Sequence, residues 1–361
     1  LTNLAGRTNA EGKPIQWIYG YQKEGTHPMR YRNDEDRDPT PDEKNAAWTA
    51  EKIKSLASQP LEKPFFLAVG FLRPHTPLIA PKKYFDRFPL SKIKITIKKE
   101  GDADDTFLQV SYGQGNEFAL GRGEKLFNDI IESYSSEEEG LKRWTQAYLA
   151  CVAAVDDNVG QVMDALDQSS LKKNTVVVLA SDHGFHMGEK DYLYKNSLWE
   201  ESTRVPLIMR VPGVSIPDSK VKKVVSLIDV YPTLMDFCGL SDDTLKNEKG
   251  RALDGHSLRT LIENPEAKIW KGEKPALTVV YAGPEFKNDP TLQHYAIRTD
   301  RYRYILYNNG KEELYDHQND PNEWNNLVLD NPDDQNTLLE MRDQMAVMVS
   351  PLKLNGFISI N

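Results

Sequence analysis

The chain has little cysteine, no long apolar run and no excess of positive charge. Its 361 residues include only 2 cysteines, Cys151 and Cys238, which excludes a disulfide framework. No apolar stretch approaches the roughly 20 residues of a membrane-spanning helix, so we expect no membrane span. With 45 Lys and Arg against 54 Asp and Glu, the formal charge is −9, which gives no electrostatic reason to expect nucleic acid as a partner.

What remains is an ordinary globular composition with alternating helical and strand patterns. Residues 144–166 show one apolar stripe at helical spacing, which predicts a long helix. Residues 175–180 are almost entirely Val and Leu, which is typical of a central parallel strand buried on both faces. Other segments predict strands at 64–71, 205–211 and 224–228, and helices that begin near Thr40 and at Tyr231. We therefore predict an α/β layered sandwich with a mixed, mostly parallel central sheet.

The pattern changes near residue 268. Short strands at 302–307 and 312–315 are joined through an Asn-Asn-Gly turn, which is a hairpin signal. A helix is predicted for residues 335–349. We therefore predict two domains, an α/β domain at 1–267 and a smaller α+β domain with an antiparallel sheet at 268–361. Residues 91–139 are charged and irregular and are interpreted as a surface excursion, with no chemistry assigned.

Titratable residues follow the Val-rich strand directly. Ser181, Asp182, His183 and Gly184 stand where an open α/β sheet places its ligand-binding groups, at the carboxyl end of a strand. A plain turn is the alternative, because Asp and Gly are common turn formers. Position alone leaves both interpretations open.

The neighbourhood of these residues decides between the two. The motifs are S-D-H-G-F-H-M-G-E-K at 181–190, E-E-S-T-R-V-P-L-I at 200–208, F-F-L-A-V-G-F-L-R-P-H-T-P at 65–77 and D-P-N-E-W-N-N-L at 320–327. Together, and in this order, they resemble the type I sulfatases of the alkaline phosphatase superfamily, most closely the subgroup like iduronate 2-sulfatase. The resemblance runs from about residue 64 to residue 327.

The resemblance implies a calcium ion held by carboxylates and an amide or imidazole. On this sequence it makes Asp182 and His183 two of the ligands. Carboxylate oxygen suits Ca²⁺ well, whereas imidazole nitrogen is a softer donor than calcium prefers. A hydrogen bond from His183 to the sulfate is therefore kept as the alternative to ligation.

The resemblance also assigns residues to the sulfate ester itself. Lys195 matches the family lysine that contacts the sulfate, where an ammonium group neutralises the nonbridging oxygens. His75 would serve the leaving oxygen, which suits an imidazole because it titrates near neutral pH. Arg73 is either a contact for substrate anions or a residue of the solvated rim.

Other polar residues are set aside. Asp156 and Asp157 are adjacent on a helix and so do not face each other. His186 is a weaker candidate for a supporting or substrate contact, and His256 and His294 are interpreted as structural.

The family's nucleophile is a formylglycine made from Cys or Ser in the motif Cys/Ser-x-Pro-Ser-Arg. Neither cysteine qualifies, since Cys151 precedes Val-Ala-Ala and Cys238 precedes Gly-Leu-Ser. The motif belongs to the amino-terminal portion of the family, so we interpret the chain as a carboxyl-terminal portion that needs that missing portion as its partner for activity.

The function expected is hydrolysis of a sulfate ester on a carbohydrate. The alternatives are a non-catalytic binder of sulfated or anionic glycans, and a phosphoesterase of the same superfamily. The chain has no recognisable signal peptide and no Asn-x-Ser/Thr sequon. The missing sequon favours a bacterial periplasmic or secreted protein over a lysosomal one.

Overall fold

A computed structural model describes most of the chain. The described residues are 4, 8, 12–13, 30–60, 62–107, 121–241, 250–280, 289, 293–330 and 335–349. They group into two compact units, one formed by Leu1–Ile97 with Lys125–Thr175 and the other by Lys98–Glu124 with Val176–Asn361. Among these residues, no helix has both the length and the apolar character needed to cross a membrane. The predicted domain boundary near residue 268 stays a prediction.

Helices build the first unit. They are α1 (Pro41–Ala57), α2 (Lys82–Asp86), α3 (Gly121–Glu132, in this unit from Lys125) and α4 (Glu137–Asp167). Helix α1 begins at Thr40, whose hydroxyl accepts from the Glu43 amide while the Glu43 carboxylate accepts from the Thr40 amide. This reciprocal cap satisfies two donors at the start of the helix. Helices α1 and α4 pack together through small and β-branched side chains, among them Ala46, Ala50 and Ile53 of α1.

The described residues of the second unit form two sheets. The first pairs β1 (Val177–Ala180) with β2 (Leu207–Arg210), and the second has the order β3 (Ala276–Val280), β4 (His294–Arg298), β5 (Tyr302–Leu306) and β6 (Glu312–Asp316). All of these pairs are antiparallel. The helices of this unit are α5 (Glu200–Thr203), α6 (Val230–Phe237), α7 (Arg259–Glu263), α8 (Leu327–Asp330) and α9 (Gln335–Met348).

The four-stranded sheet alternates its side chains between two apolar layers, as the period of two requires. One face packs on α9, with Ile297, Tyr304 and Leu314 against Met341 and Met345. The opposite face carries Ala296, Ile305, Tyr307 and Tyr315 against the loop that follows β1, here called the site loop and defined as residues 181–199. The sheet therefore supports the loop that contains most of the candidate site.

The α/β class, the antiparallel carboxyl-terminal sheet, the long helix and the hairpin are confirmed. The predicted parallel pairing of residues 175–180 is wrong for β1 and β2. These two strands run antiparallel, with Val177 opposite Arg210. A run of Val and Leu does not encode the direction of the neighbouring strand, and the expected burial on both faces is not seen either, since residues 177–179 are half-buried and Ala180 is exposed. The strand predicted at 205–211 is confirmed as β2.

Two predicted strands are not strands in the described part of the chain. Residues 224–228 lead into a short 3₁₀ helix at Leu227–Asp229, because Ser226 and Asp229 form a reciprocal cap. Residues 64–71 adopt neither helix nor strand. Their end is held by side chains instead, since the Asn45 amide donates to the Gly70 carbonyl at 2.9 Å. The irregular stretch predicted at 91–139 contains α3, and its residues 108–120 lie outside the described residues.

Candidate functional site

Asp182 and His183 form a tight turn at the carboxyl end of β1. The Ser181 hydroxyl donates to the His183 carbonyl at 2.9 Å, and the His183 amide donates to Oδ1 of Asp182 at 3.1 Å. The second carboxylate oxygen of Asp182 is left to point outward, and the side chain is 85% exposed. The turn therefore presents one carboxylate oxygen and an imidazole side by side.

The two side chains have the donor geometry of a cation site. His183 Nδ1 lies 2.8 Å from the Gly184 carbonyl oxygen. That oxygen only accepts, so Nδ1 carries a hydrogen, and in the neutral imidazole Nε2 then carries the lone pair. Nε2 lies 3.5 Å from Oδ2 of Asp182. Two ligands about 2.4 Å from a calcium ion and at right angles would be about 3.4 Å apart. The residues therefore fit a divalent cation as two adjacent ligands.

Gly184 lets this turn lie directly on α5. Its amide donates to the Ser202 carbonyl at 2.8 Å. A Cβ atom at this position would lie 1.9 Å from the Glu201 carbonyl oxygen and 3.0 Å from that of Arg204. Only glycine allows this close approach of two backbones, so the orientation of the Asp182–His183 turn depends on it.

Lys195 lies further along the site loop, between buried residues. Tyr194 and Ser197 are buried on either side, and the Ser197 amide donates to the Lys195 carbonyl at 2.9 Å. The ammonium group itself is partly exposed. Partial burial lowers the pKa of Lys195 below its usual range, and the negative charge of Asp182 opposes this shift. Lys195 and Asp182 thus influence each other electrostatically within one loop.

His186 ties the two halves of the site loop together. It is fully buried, its Nε2 donates to the Ser197 hydroxyl at 2.8 Å, and that hydroxyl donates to Ser202 at 2.7 Å. Its ring lies edge-on to Tyr192 and Trp199. Burial lowers the pKa of His186 to about 4, so the imidazole is neutral at pH 7. His186, the weaker candidate in the sequence analysis, therefore supports the loop from within. Its position three residues after His183 is the sequence feature that pointed to it.

Glu201 was not singled out from the sequence. Burial, followed by the charges of Glu323 and Glu189, raises the pKa of Glu201 to about 7. A carboxyl group in such surroundings holds a proton near neutral pH. No spacing rule points to it, because its environment is assembled from distant segments of the second unit.

His75 and Arg73 belong to the first unit, on the turn that follows residues 64–71. The buried Asp42 carboxylate of α1 accepts from the amides of Leu72 and Arg73, at 2.8 and 2.9 Å. The His75 amide donates to the Leu72 carbonyl at 2.9 Å. One buried carboxylate therefore fixes the backbone that presents His75.

The side chains of this turn are oriented differently. His75 is exposed, and its Nδ1 lies 2.5 Å from the Thr76 carbonyl oxygen, which leaves Nε2 outward. Arg73 points inward, and donates from Nε to the Ile79 carbonyl at 2.9 Å and from Nη1 to the His75 carbonyl at 3.0 Å. Arg73 thus braces the turn with two of its nitrogens.

Three acidic and imidazole groups cluster elsewhere in the second unit. One ligand atom from each of Glu200, His317 and Glu323 lies within 4.8 Å of the others. The buried Arg303 guanidinium hydrogen-bonds both carboxylates, and His317 lies 2.7 Å from Glu323. A cation would have to compete with this guanidinium, so the cluster is an ion-pair network rather than a metal centre.

Comparisons with known proteins decide the family. The sulfatase family model matches residues 8–240. The chain belongs to the sulfatase family. A second family, N-sulphoglucosamine sulphohydrolase, C-terminal, matches residues 188–350. The predicted type I sulfatase resemblance is thereby confirmed.

Curated members of the sulfatase family show the same relationship in sequence. The chain is 35% identical to a sulfatase of Formosa agariphila over 79% of this chain and 50% of that protein. It is 27% identical to the iduronate 2-sulfatase of Mus musculus over 71% of this chain and 53% of that protein. The chain therefore spans about half the length of the curated relatives it matches.

Solved structures show the fold. One is a protein in complex with its substrate D-glucosamine-2-N,6-O-disulfate, with a TM-score of 0.66, 20% identity, and coverage of 88% of this chain and 72% of that chain. Another is the phosphonate monoester hydrolase of Agrobacterium radiobacter, with a TM-score of 0.66, 25% identity, and coverage of 85% and 60%. The chain thus shares its fold with the protein that binds the disulfated glucosamine and with the phosphonate monoester hydrolase.

The cysteines of this sulfatase-family chain have no catalytic features. Cys151 is fully buried in α4, and burial raises the pKa of its thiol to about 12. Cys238 is exposed at the end of α6. Asp157, one of the residues set aside, pairs with Arg87 at 2.8 Å as a surface ion pair. Each of these residues therefore has a structural explanation.

Proposed function

We propose that this protein hydrolyses a sulfate ester on a carbohydrate. The observation that carries the proposal is that Asp182 and His183 present two adjacent metal-ligand atoms, Oδ2 and Nε2, 3.5 Å apart. They lie on the same loop as the partly buried Lys195. The names of the curated relatives, among them a sulfatase and an iduronate 2-sulfatase, support the same reaction. The substrate class rests on the disulfated glucosamine bound by a protein of the same fold.

Asp182 and His183 are assigned to the metal. They would hold one Ca²⁺ ion through Oδ2 and Nε2. When bound, the ion would supply positive charge for a sulfate oxygen. The hydrogen bond from Nδ1 to the Gly184 carbonyl fixes the imidazole tautomer that leaves Nε2 free to ligate.

Lys195, His75 and Arg73 are assigned to the substrate. Lys195 would contact the nonbridging sulfate oxygens, and its partial burial strengthens an ion pair relative to one in open water. His75 would give a proton from Nε2 to the leaving oxygen, since Nδ1 is held by the Thr76 carbonyl. Arg73 donates from Nε and Nη1 to backbone carbonyls of its own turn, so Nη2 would make the contact with substrate.

The nucleophile is assigned to a formylglycine outside these 361 residues. Neither cysteine stands in the required motif, and the curated relatives are about twice as long as the matched portion. We further propose an exported bacterial protein, periplasmic or secreted. The amino-terminal portion of the same protein would be the partner that completes the site.

The test is sulfate release by the full-length protein encoded by the gene. A Cys/Ser-x-Pro-Ser-Arg motif should precede the present residues, and 6-O-sulfated glucosamine should lose its ester sulfate. Lys195→Met should lower kcat/KM by about 100-fold, as loss of a charge-stabilising donor does, while the exposed-lysine control Lys220→Met should not. Faster release of phosphate than of sulfate from matched monoesters would refute the sulfate assignment, and binding without release from either would leave a glycan binder.

The metal assignment has its own test. Asp182→Asn removes the charge of one proposed ligand, so the calcium content of the full-length protein should fall. Asp218→Asn, at an exposed aspartate of the same unit, is the matched control. Unchanged calcium in Asp182→Asn would remove this residue from the ligand set.

A further inference from the structure

The residues on both sides of Lys195 belong to the apolar layer on the carboxyl-terminal sheet. Tyr194 and Leu198, which flank Lys195 in sequence, are buried in one cluster with Ala296, Ile305 and Tyr315 of the sheet. Lys195 itself remains partly exposed. The position of its Cα is therefore determined by how the flanking side chains pack on the sheet.

One hydrogen bond attaches the end of the site loop to β6. Trp199 Nε1 donates to Oε2 of Glu313 at 2.8 Å. Glu313 is fully buried, and it also accepts from Tyr315 OH at 3.0 Å on the same oxygen. Its other oxygen accepts from the Phe107 amide at 2.6 Å and from Tyr307 OH at 3.0 Å. Four donors thus saturate a carboxylate that has no contact with water, and only Trp199 among them belongs to the site loop.

The backbone next to Trp199 is attached to the same sheet region. Arg303 Nη1 of β5 donates to the Leu198 carbonyl at 2.9 Å. The Glu200 amide donates to Oε2 of Glu323 at 3.0 Å. Both partners, like Glu313, are buried, so these bonds are shielded from competing water. The chain immediately after Lys195 is therefore held at three consecutive residues.

The other end of the loop segment is attached as well. Lys190 is buried and donates from Nζ to Oδ1 of Asp102 at 3.0 Å and to the Glu323 carbonyl at 2.5 Å. Its amide donates to Oδ2 of Asp102 at 3.0 Å. Lys195 thus lies between two anchored points, with little freedom for the intervening backbone.

We propose that Glu313 and Trp199 are positioning residues for Lys195. Through their hydrogen bond, the carboxyl-terminal sheet determines where the Lys195 ammonium group lies. The proposal rests on the assignment of Lys195 to the sulfate ester for its functional meaning. A bond between two buried groups that only stabilised the fold would have no specific effect on Lys195.

Two variants separate positioning from stability. Trp199→Phe and Tyr315→Phe each remove one donor to the same Oε2 atom of Glu313 and keep an aromatic ring. Trp199→Phe should lower the unfolding free energy more than Tyr315→Phe, because it also leaves a cavity where the buried indole was, so the comparison rests on Lys195 and not on stability. Only Trp199→Phe releases the site loop, whereas Tyr315 lies within β6 itself. Tyr315→Phe is therefore the matched control.

The readout is the ammonium group of Lys195 in the full-length protein. Reductive ¹³C-methylation labels the lysines, Lys195→Arg identifies the resonance, and a pH titration by NMR reports the pKa. The pKa should rise toward the usual lysine range in Trp199→Phe, since looser packing restores hydration of the ammonium group, and should stay unchanged in Tyr315→Phe. Equal shifts in both variants, or no shift in either, would overturn the proposal.

Glu313→Gln provides an independent second variant. It keeps the side-chain shape but presents an NH₂ group to one pair of donors. It should shift the Lys195 resonance in the same direction as Trp199→Phe, and the double variant should shift it no further. Additive shifts would overturn the proposal. The readout needs no turnover, so a failed sulfate-release assay refutes the proposed function without affecting this result.

Discussion

Replacing Gly184 with alanine should misplace the proposed metal ligands. The new Cβ would lie 1.9 Å from the Glu201 carbonyl oxygen, whereas a carbon and an oxygen in contact normally lie about 3.3 Å apart. The two backbones must therefore separate by about 1.4 Å. The obstacle is the main chain of α5, so no side-chain rotation relieves the overlap.

The cost has a structural and a catalytic part. Forced overpacking of this kind costs roughly 1 to 3 kcal/mol, which corresponds to a fall in Tm of about 2 to 12 °C. A displacement of about 1 Å at positioning groups costs on the order of 100-fold in rate. We therefore expect Gly184→Ala to lose both calcium affinity and sulfate-ester hydrolysis in the full-length protein, in excess of what its stability loss explains.

The matched control is Gly160→Ala. Gly160 lies within α4, and a Cβ there would meet nothing within 4 Å. Alanine in a helix is favoured over glycine by roughly 0.5 to 1 kcal/mol, so Tm should rise slightly while hydrolysis stays unchanged. Differential scanning fluorimetry and a sulfate-release assay measure both variants. Wild-type Tm and rate in Gly184→Ala would refute the close-approach argument.

Three further variants test the supporting residues. Burial lowers the pKa of His186 to about 4 from 6.5, so the imidazole takes up a proton at higher pH in the unfolded chain than in the folded one. This group should therefore lower the free energy of unfolding by about 2 kcal/mol between pH 7 and pH 5. Urea unfolding of His186→Gln should lack this pH-dependent loss. Asp42→Asn should displace His75, because the Leu72 and Arg73 amides lose the charged carboxylate that accepts their hydrogen bonds. The variant should therefore lower kcat by a larger factor than it changes KM. Arg303→Met should cost roughly 3 kcal/mol in urea unfolding, since it removes the buried guanidinium that pairs with both Glu323 and Glu200.

Local signals account for the parts of the fold that the sequence predicted well. The start of α1 follows from Thr40 and Glu43, whose reciprocal cap needs residues only three positions apart. The apolar stripe of α4 and the Asn-rich turn between β5 and β6 are equally local. The site motifs are short for the same reason. Asp182 and His183 are neighbours in the chain, so their pairing in space required no long-range information.

The rest depends on contacts between distant segments. The direction of β1 relative to β2 is set across an intervening loop and α5, and no local pattern encodes it. Glu313 accepts from Phe107 and Trp199, which are separated from it by more than a hundred residues. Its strand reads Glu-Glu-Leu-Tyr-Asp, with no polar–apolar alternation that would assign Glu313 to a buried face, so its burial was not predictable. Residues 91–139, which were given no role, contribute Asp102 and Phe107 to this network.

The buried charges of the second unit indicate what this network does. Glu313, Glu323 and Arg303 lie on or near the carboxyl-terminal sheet, and each is at most 1% exposed. Buried ionic groups add little net stability compared with apolar residues of similar size, because desolvation offsets their attraction. Their directional hydrogen bonds end on Trp199, the Leu198 carbonyl and the Glu200 amide. The apolar layer holds the loop against the sheet, and these hydrogen bonds add the directional contacts that apolar burial by itself does not supply. The charges are therefore better explained by the orientation of the loop that carries Lys195 than by stability.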